Sequence, residues 1–309
     1  MGPHDAHGVT RAGSDDAAIP ASAEPTPALL ASRAAQRSGC QIRVLTGLRE
    51  LEAAETLINQ TWDGGSAEIS IGILRALSKA GNFVSGAYDG STLVGACVGF
   101  FGSAGRSELH SHLAAVAPAH RGRGIGLAMK LHQRAWGIDT GVETISWTYD
   151  PLVSRNAHVN VTKLGAVPVE YLENFYGTGG GLVPAEPPTD RVLVAWRLAS
   201  ESVRLACRGG AAGPDLAALR KAGASVLVAP DGQGAPIETA DSGHRFALVG
   251  VPHDIDAIRG TAPPLAHAWR EAMLRHLGHS LRAGHRVVGY ADDHYVLDRG
   301  TSDETARPR

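Results

Sequence analysis

Between residues 41 and 198 short apolar runs that alternate with polar residues are interleaved with longer runs whose apolar positions recur every three or four residues. The first rhythm predicts strands and the second amphipathic helices, because side chains alternate across a sheet but return to one helix face after about 3.6 residues. Strands are expected at Gln41–Leu45, Phe83–Tyr88, Thr92–Phe101, Glu108–Ala117, Glu143–Tyr149, Val167–Tyr171 and Arg191–Leu198. Asp89-Gly90 is a hairpin signal between the second and third. Helices are expected from Leu48 to Ile58, with a breaker at Trp62 and Asp63-Gly64-Gly65, from Ile71 to Ala80 before Gly81, from Ile125 past Ala135, and from Ser154 to Leu164 before Gly165. This is a mixed α/β pattern, a sheet with helices on its faces. Beyond residue 198 the pattern is sparser. Val226–Ala229, Phe246–Val251, Val287–Tyr290 and Tyr295–Leu297 read as strands, Asp256 precedes a helical turn, and Pro264–Ala283 is an amphipathic helix. Residues 1–40 are rich in Ala, Pro, Ser, Gly and Asp, with His4 and His7 among them. They read as a disordered tail, as do 300–309. The expected organisation is a domain at 41–198, a smaller α+β extension at 199–299, and a tail at each end. No period of 20–50 residues recurs, which gives little support to a second copy of the first domain.

One stretch organises the rest, Leu113 to Gln133. A strand is stopped by Pro118, which lacks a ladder donor. A basic turn follows, His120-Arg121-Gly122-Arg123-Gly124-Ile125-Gly126, and then a helix. A helix start leaves free N–H groups with partial positive charge, the glycines let a ligand approach the backbone, and arginines suit phosphate oxygens. The order strand, Gly-rich turn, helix is therefore a phosphate site. Leu127 stands where the dinucleotide fingerprint needs its last glycine, and no Gly-Lys-Ser/Thr follows for a nucleotide-triphosphate loop.

Composition narrows the class. A formal charge of -2 gives no sign of general nucleic-acid binding. Cys40, Cys97 and Cys207 are far apart, which suits a reducing compartment and neither a disulfide framework nor a zinc site. No membrane span and no signal-peptide core are read, so a cytoplasmic protein is expected.

The motif Arg121-x-x-Gly124-x-Gly126, preceded by Val116-x-Pro118, resembles the coenzyme A loop of the GNAT-type N-acetyltransferase superfamily. The resemblance covers about Gln41 to Leu198. It is sharper with a group of GNAT-like proteins without a settled substrate, through Ser111–Gly126, Trp147–Ala157, Lys163–Ala166 and Asn174–Gly177. It implies the GNAT acyl-CoA N-acyltransferase fold and acetyl-CoA, or another acyl-CoA, as co-substrate. By the same resemblance, loop amides at Arg121, Gly122, Arg123, Gly124, Ile125 and Gly126 hold pyrophosphate. Backbone groups of a splayed strand at Ala114, Ala115 and Val116 hold the pantetheine arm and the oxyanion, and Asn156 touches that arm or caps its helix.

Acyl transfer to an amine needs a base, an oxyanion donor and an acid for the leaving thiolate. Glu108, His110 and His112 precede the Val-x-Pro and share one face at period 2. A histidine with pKa of about 6.5 suits a base at neutral pH, although two packed histidines fit as well. The family's acid is a tyrosine where this chain has Val161, so Tyr149, Tyr171 and Tyr176 become candidates. Asp150 either binds the acceptor's ammonium or starts a turn with Pro151. Lys130 and Arg134, one turn apart, read as solvated. The resulting expectation is direct transfer to an amine, of a small molecule, with the long loop Thr178–Asp190 and the extension shaping the acceptor pocket. A homodimer is left open. The rivals are an enzyme of a larger acyl-CoA, by transfer or decarboxylation, and a non-catalytic CoA-binding module.

Overall fold

The computed structural model describes residues 24–61, 69–102, 107–177 and 189–300. The tail up to residue 23, the breaker at 62–65, the loop at 178–188 and residues 301–309 lie outside the described residues. The chain runs α1 (Pro27–Arg37), β1 (Gln41–Val44), α2 (Leu48–Thr61), α3 (Ile71–Lys79), β2 (Phe83–Asp89), β3 (Thr92–Phe101), β4 (Glu108–Val116), α4 (Ile125–Asp139), β5 (Thr144–Tyr149), α5 (Ser154–Ala157), β6 (Val167–Leu172) and β7 (Arg191–Arg197). Beyond α5 the helix continues to Lys163 as a wider π turn. The strands form one sheet in the order β1-β2-β3-β4-β5-β7-β6. Every pair is antiparallel except β4 with β5. Leu51, Ala54 and Ile58 of α2 and Leu74 of α3 pack with Val98, Leu113 and Ala115 on one face. The other face carries α4, α5 and most of the core.

The helix α1 corrects the expected tail from Thr26 onward. Thr26 caps it by accepting from the Leu29 amide at 3.2 Å, Pro27 is its first residue, and Ala31 and Ala34 are buried in the main core. A composition poor in large apolar residues reads as disorder, yet alanines suffice where a helix lies close against another helix. Ala28, Ala31 and Ala35 share a groove with His132, Ala135 and Trp136 of α4.

β4 carries a bulge. Val98 faces Leu113 but Gly99 faces Ser111, so His112 is the extra residue. The bulge turns the strand over: Leu109 lies in the core under α4, whereas Leu113 and Ala115 lie under α2 and α3.

The remainder forms α6 (Glu201–Cys207), α7 (Leu216–Lys221), β8 (Ser225–Pro230), β9 (Pro236–Glu238), β10 (Phe246–Gly250), α8 (Ile255–Thr261), α9 (Pro263–Met273), a π turn (Leu274–Gly278), α10 (His279–Arg282), β11 (Arg286–Ala291) and β12 (His294–Asp298). Its sheet runs β11-β12-β10-β8-β9. Read from the other end, this repeats the pairing of half of the first sheet. β8 is parallel to β10 as β4 is to β5. β10 is antiparallel to β12 as β5 is to β7, and β12 to β11 as β7 to β6. Each sheet also has a helix with a π turn before its last hairpin. The likeness to a second half is thus one of topology, without a sequence period.

Candidate functional site

The ladder between β4 and β5 is short. It joins Glu108 to Thr144, Leu109 to Ile145 and His110 to Ser146, and no pair follows. Beyond that step Ser111–Val116 and Trp147–Tyr149 are a wedge of two strands that have parted, and β4 offers its backbone there without a β5 partner. Ala114 is exposed on the wedge, Ala115 is buried against β3, and Val116 is half-buried.

The turn before α4 opens next to this wedge. Gly122 and Gly124 have φ of 79° and 80°, values that disfavour any residue with a Cβ, and a Cβ built on Gly122, Gly124 or Gly126 would meet nothing within 4 Å. Gly124 is the N-cap of α4 and no side chain caps the helix. The first amides of α4, from Ile125 and Gly126 onward, therefore keep free donors at the positive end of the helix. Ile125 itself is buried and anchors the turn. Arg121 is exposed, its Nε 3.4 Å from the Val116 carbonyl. Arg123 is engaged elsewhere: it donates to Asp89 at 2.8 Å and to the Ser38 carbonyl at 3.2 Å, tying the turn to α1 and to the β2–β3 hairpin. Open space, free amides and the exposed Arg121 guanidinium fit a diphosphate.

Glu108, His110 and His112 come together as expected, despite the bulge. The rings of His110 and His112 have centroids 6.2 Å apart, and Phe100 of β3 packs on both, at 5.2 and 5.7 Å. His110 Nδ1 lies 3.4 Å from Ser146 Oγ. Burial, followed by His112 and Lys130, pushes the His110 ring below the ordinary histidine value, against an upward pull from Glu108. A half-buried, neutral imidazole therefore stands at the step where the strands part.

Asp150 is committed to the extension. Both its oxygens accept from Arg270 at 2.9 Å, a second guanidinium from Arg259 joins them, and the Leu152 amide donates at 3.0 Å. Burial opposes its charge, yet the two arginines hold the carboxyl at about 2. A carboxylate so filled has no acceptor left for an ammonium, which corrects the sequence expectation. Asp150 instead docks the extension, together with Tyr295, which donates to the Pro151 carbonyl at 2.9 Å, and Ser154, bonded to Asp293.

Asn156 is exposed and does not cap its helix; Val153 occupies the cap position. At 100° per residue Asn156 lies on the opposite side of α5 from Ser154 and His158, which line a cavity of about 590 Å³ against the extension. Of the candidate tyrosines, Tyr149 is buried with its hydroxyl 3.1 Å from that of Tyr295, and Tyr171 donates to Asp190 at 2.8 Å. Burial pushes both well above the ordinary tyrosine value. Tyr176 is exposed, its hydroxyl 3.3 Å from Thr148 Oγ1 on β5. Val161 is half-buried against the main core.

Lys130 and Arg134 are buried, not solvated. Arg134 donates twice to the Leu198 carbonyl, at 3.0 and 2.7 Å. Lys130 donates to Ser111 Oγ at 2.7 Å and to Gln133 Oε1 at 3.1 Å, and stands 3.8 Å from the centre of the Trp147 ring. The available signal was the stripe Lys130, Gln133, Arg134 and Gly137, spaced i, i+3, i+4, i+7 like an inward face. Being polar, it passes for the solvent side.

Residues 48–165 match the model of the acetyltransferase (GNAT) family. No curated protein matches the chain. Solved structures similar to it include the ribosomal-protein-S18-alanine N-acetyltransferase of Escherichia coli, at 19% identity over 52% of this chain and 97% of that one, with a TM-score of 0.41. A diaminobutyrate acetyltransferase from Paenibacillus lautus, in complex with L-2,4-diaminobutyric acid and coenzyme A, shares 19% identity over 52% of this chain and 97% of its own, TM-score 0.40. An N-acetyltransferase from Staphylococcus aureus shares 14% over 52% and 98%, TM-score 0.42. Among the described residues no helix is long and apolar enough to cross a membrane. Residues 48–165 are thus what this chain has in common with the acetyltransferase (GNAT) family.

Proposed function

We propose that the chain is an acyl-CoA-dependent N-acyltransferase that uses acetyl-CoA and passes the acyl group directly to an amine of a small molecule, in the cytoplasm. The observation that carries this reading is the wedge: β4 leaves β5 just after His110, with the uncapped start of α4 beside the opening. The amides of residues 122–126 and the Arg121 guanidinium would hold the pyrophosphate of the acyl donor. The free β4 edge at Ala114, Ala115 and Val116 would take the pantetheine arm and, through one N–H, stabilise the oxyanion as it forms. Asn156 stands exposed and uncommitted for a further polar contact.

His110 is the base we assign. Its lowered pKa keeps it neutral at physiological pH, so it can take the ammonium proton and free the amine lone pair. Glu108 and His112 adjoin it and would stabilise or relay that proton. The thiolate needs a proton in return. Val161 has none to give, and the hydroxyls of Tyr149 and Tyr171 are committed to partners. Tyr176, exposed at Thr148, is the hydroxyl left for that task.

The test is thermal unfolding with CoA, acetyl-CoA and longer acyl-CoAs, followed by thiol release across a panel of small amines and peptides. Stabilisation by acetyl-CoA with turnover on small amines supports the reading. Turnover on peptides alone moves the acceptor class. Preference for a long acyl chain favours the larger-acyl rival, and tight binding without turnover favours a binding module, which the valine at position 161 also suits. No stabilisation by any CoA species refutes the reading.

A further inference from the structure

Lys130 is a cost that the core does not explain. It is buried in a helix position that a leucine would fill, and removing an ammonium from water is expensive unless it is paired. Among the described residues no carboxylate pairs with it. Its three N–H groups instead meet Ser111 Oγ at 2.7 Å, Gln133 Oε1 at 3.1 Å and the face of Trp147 at 3.8 Å. The position of two of these partners is the informative point. The last ladder pair of β4 and β5 is His110 with Ser146. Ser111 and Trp147 are the next residue on each strand, where a backbone pair would come and does not. Lys130 reaches from α4 to both.

We propose that Lys130 is a positioning residue for the transfer: its ammonium pins Ser111 and Trp147 at the step where the ladder ends, fixing where the strands part and placing a positive charge behind His110. This rests on the reading of the wedge as the transfer site. Without the pin, β4 and β5 are free to pair one step further and narrow the opening. The charge matters because His110 is faced by few others: His112 and Glu108 on its own strand, Lys130 from α4, and the neutral Ser146 of β5 and Phe100 of β3. Burial lowers the ammonium from its ordinary 10.5 to about 8, so it is charged at neutral pH and loses its proton above that value.

The experiment uses the full chain and needs no known acceptor. The His110 ring is titrated by NMR, assigned through His110→Gln, in the parent, Lys130→Met, Lys130→Arg and Ser111→Ala. Acetyl-CoA affinity is measured by calorimetry on the same samples. Lys130→Met is expected to raise the His110 midpoint and to weaken acetyl-CoA roughly tenfold, the order expected for a lost charge-assisted contact. Lys130→Arg should bring the midpoint back, and Ser111→Ala should weaken acetyl-CoA while leaving the midpoint in place. A purely structural lysine would move stability and neither readout. A folded Lys130→Met with the parent's midpoint and affinity overturns the proposal. If Lys130→Met does not fold, Ser111→Ala decides, and parental affinity there overturns the pin. A parent that fails to bind acetyl-CoA refutes the transfer reading instead, and the His110 midpoint then still decides whether the Lys130 charge acts on that ring.

Discussion

The two sheets pair their strands alike and differ at one step. In the first, the parallel strands β4 and β5 part after three register pairs, and the segment joining them is an open turn and a helix. In the second, β8 and β10 also hold three register pairs, with a shift between Leu248 and Val249, but stay in contact one residue beyond the last. A Cβ on Gly250 of β10 would lie 2.7 Å from the Val228 carbonyl of β8, so the backbones there are in contact. The joining segment is the hairpin to β9, and Asp231 accepts from the amides of Gln233 and Ala235, at 2.7 and 2.8 Å. One connection leaves backbone donors free beside an opened sheet, while the other consumes them with its own carboxylate on a closed one. The proposed donor site is thus a local departure from satisfied hydrogen bonding, and the strand order alone does not confer it.

The largest effect should come from His110. His110→Gln is expected to lower kcat/KM by roughly 10²–10⁴-fold, the usual worth of a positioned base. His294→Gln, at a buried histidine of the second sheet, should leave the rate near the parent's. Equal losses from both would break the contrast. Because a base works deprotonated and the His110 value is depressed, activity should fall only as pH drops below the ordinary histidine range.

Next comes the joint between the sheets. Asp150→Ala leaves the Arg270 guanidinium buried and unpaired, and urea unfolding should show a loss of about 3–5 kcal/mol. The Asp150 carboxyl lies at about 2 when folded against an ordinary 3.8. Its contribution is therefore full above about pH 4 and is lost as pH falls toward 2. Two separate transitions in the variant would show that the second sheet folds apart from the first.

The third pair sharpens the difference between the connections. Acetyl-CoA at about 100 times its dissociation constant should stabilise the parent by about 2.7 kcal/mol. Gly124→Glu should abolish that shift by placing an anion in the open turn. Gly232→Glu, in the hairpin of the second sheet where a Cβ also meets nothing within 4 Å, should retain it. The smallest effect expected is from Tyr176→Phe, a loss in kcat of about tenfold or less, because a thiolate is a good leaving group and water can supply its proton when the hydroxyl is gone.

Much of the first sheet and its helices was legible because the signals are local. Alternation marked the strands, Asp89-Gly90 marked a hairpin, and Pro118 with three glycines marked the turn before α4. The candidate loop followed from the same residues, since free amides at a helix start depend only on where the helix begins. The period-2 reading also brought Glu108, His110 and His112 together, although the bulge at His112 was invisible in it. A bulge is decided by the partner strand, and its local hint, Gly99 of β3 facing Ser111, lies on that other strand.

The misreadings were of side chains whose environment comes from distant segments. Lys130 and Arg134 looked solvated because charge on a helix ordinarily faces water, but β4, β5 and the carbonyl of Leu198 surround them. Asp150 looked available because Arg259 and Arg270 stand more than a hundred positions away along the chain. The alanines of α1 looked too small to fold, until α4 supplied a surface to lie on. The sequence by itself determined the order of elements from β1 to β7 and the glycine-rich turn before α4, because period, proline and glycine act through neighbours on the backbone. Only the tertiary structure decided which charges are buried, where β4 leaves β5, and that one of two like-paired sheets is open, because burial and pairing depend on what the rest of the chain places alongside.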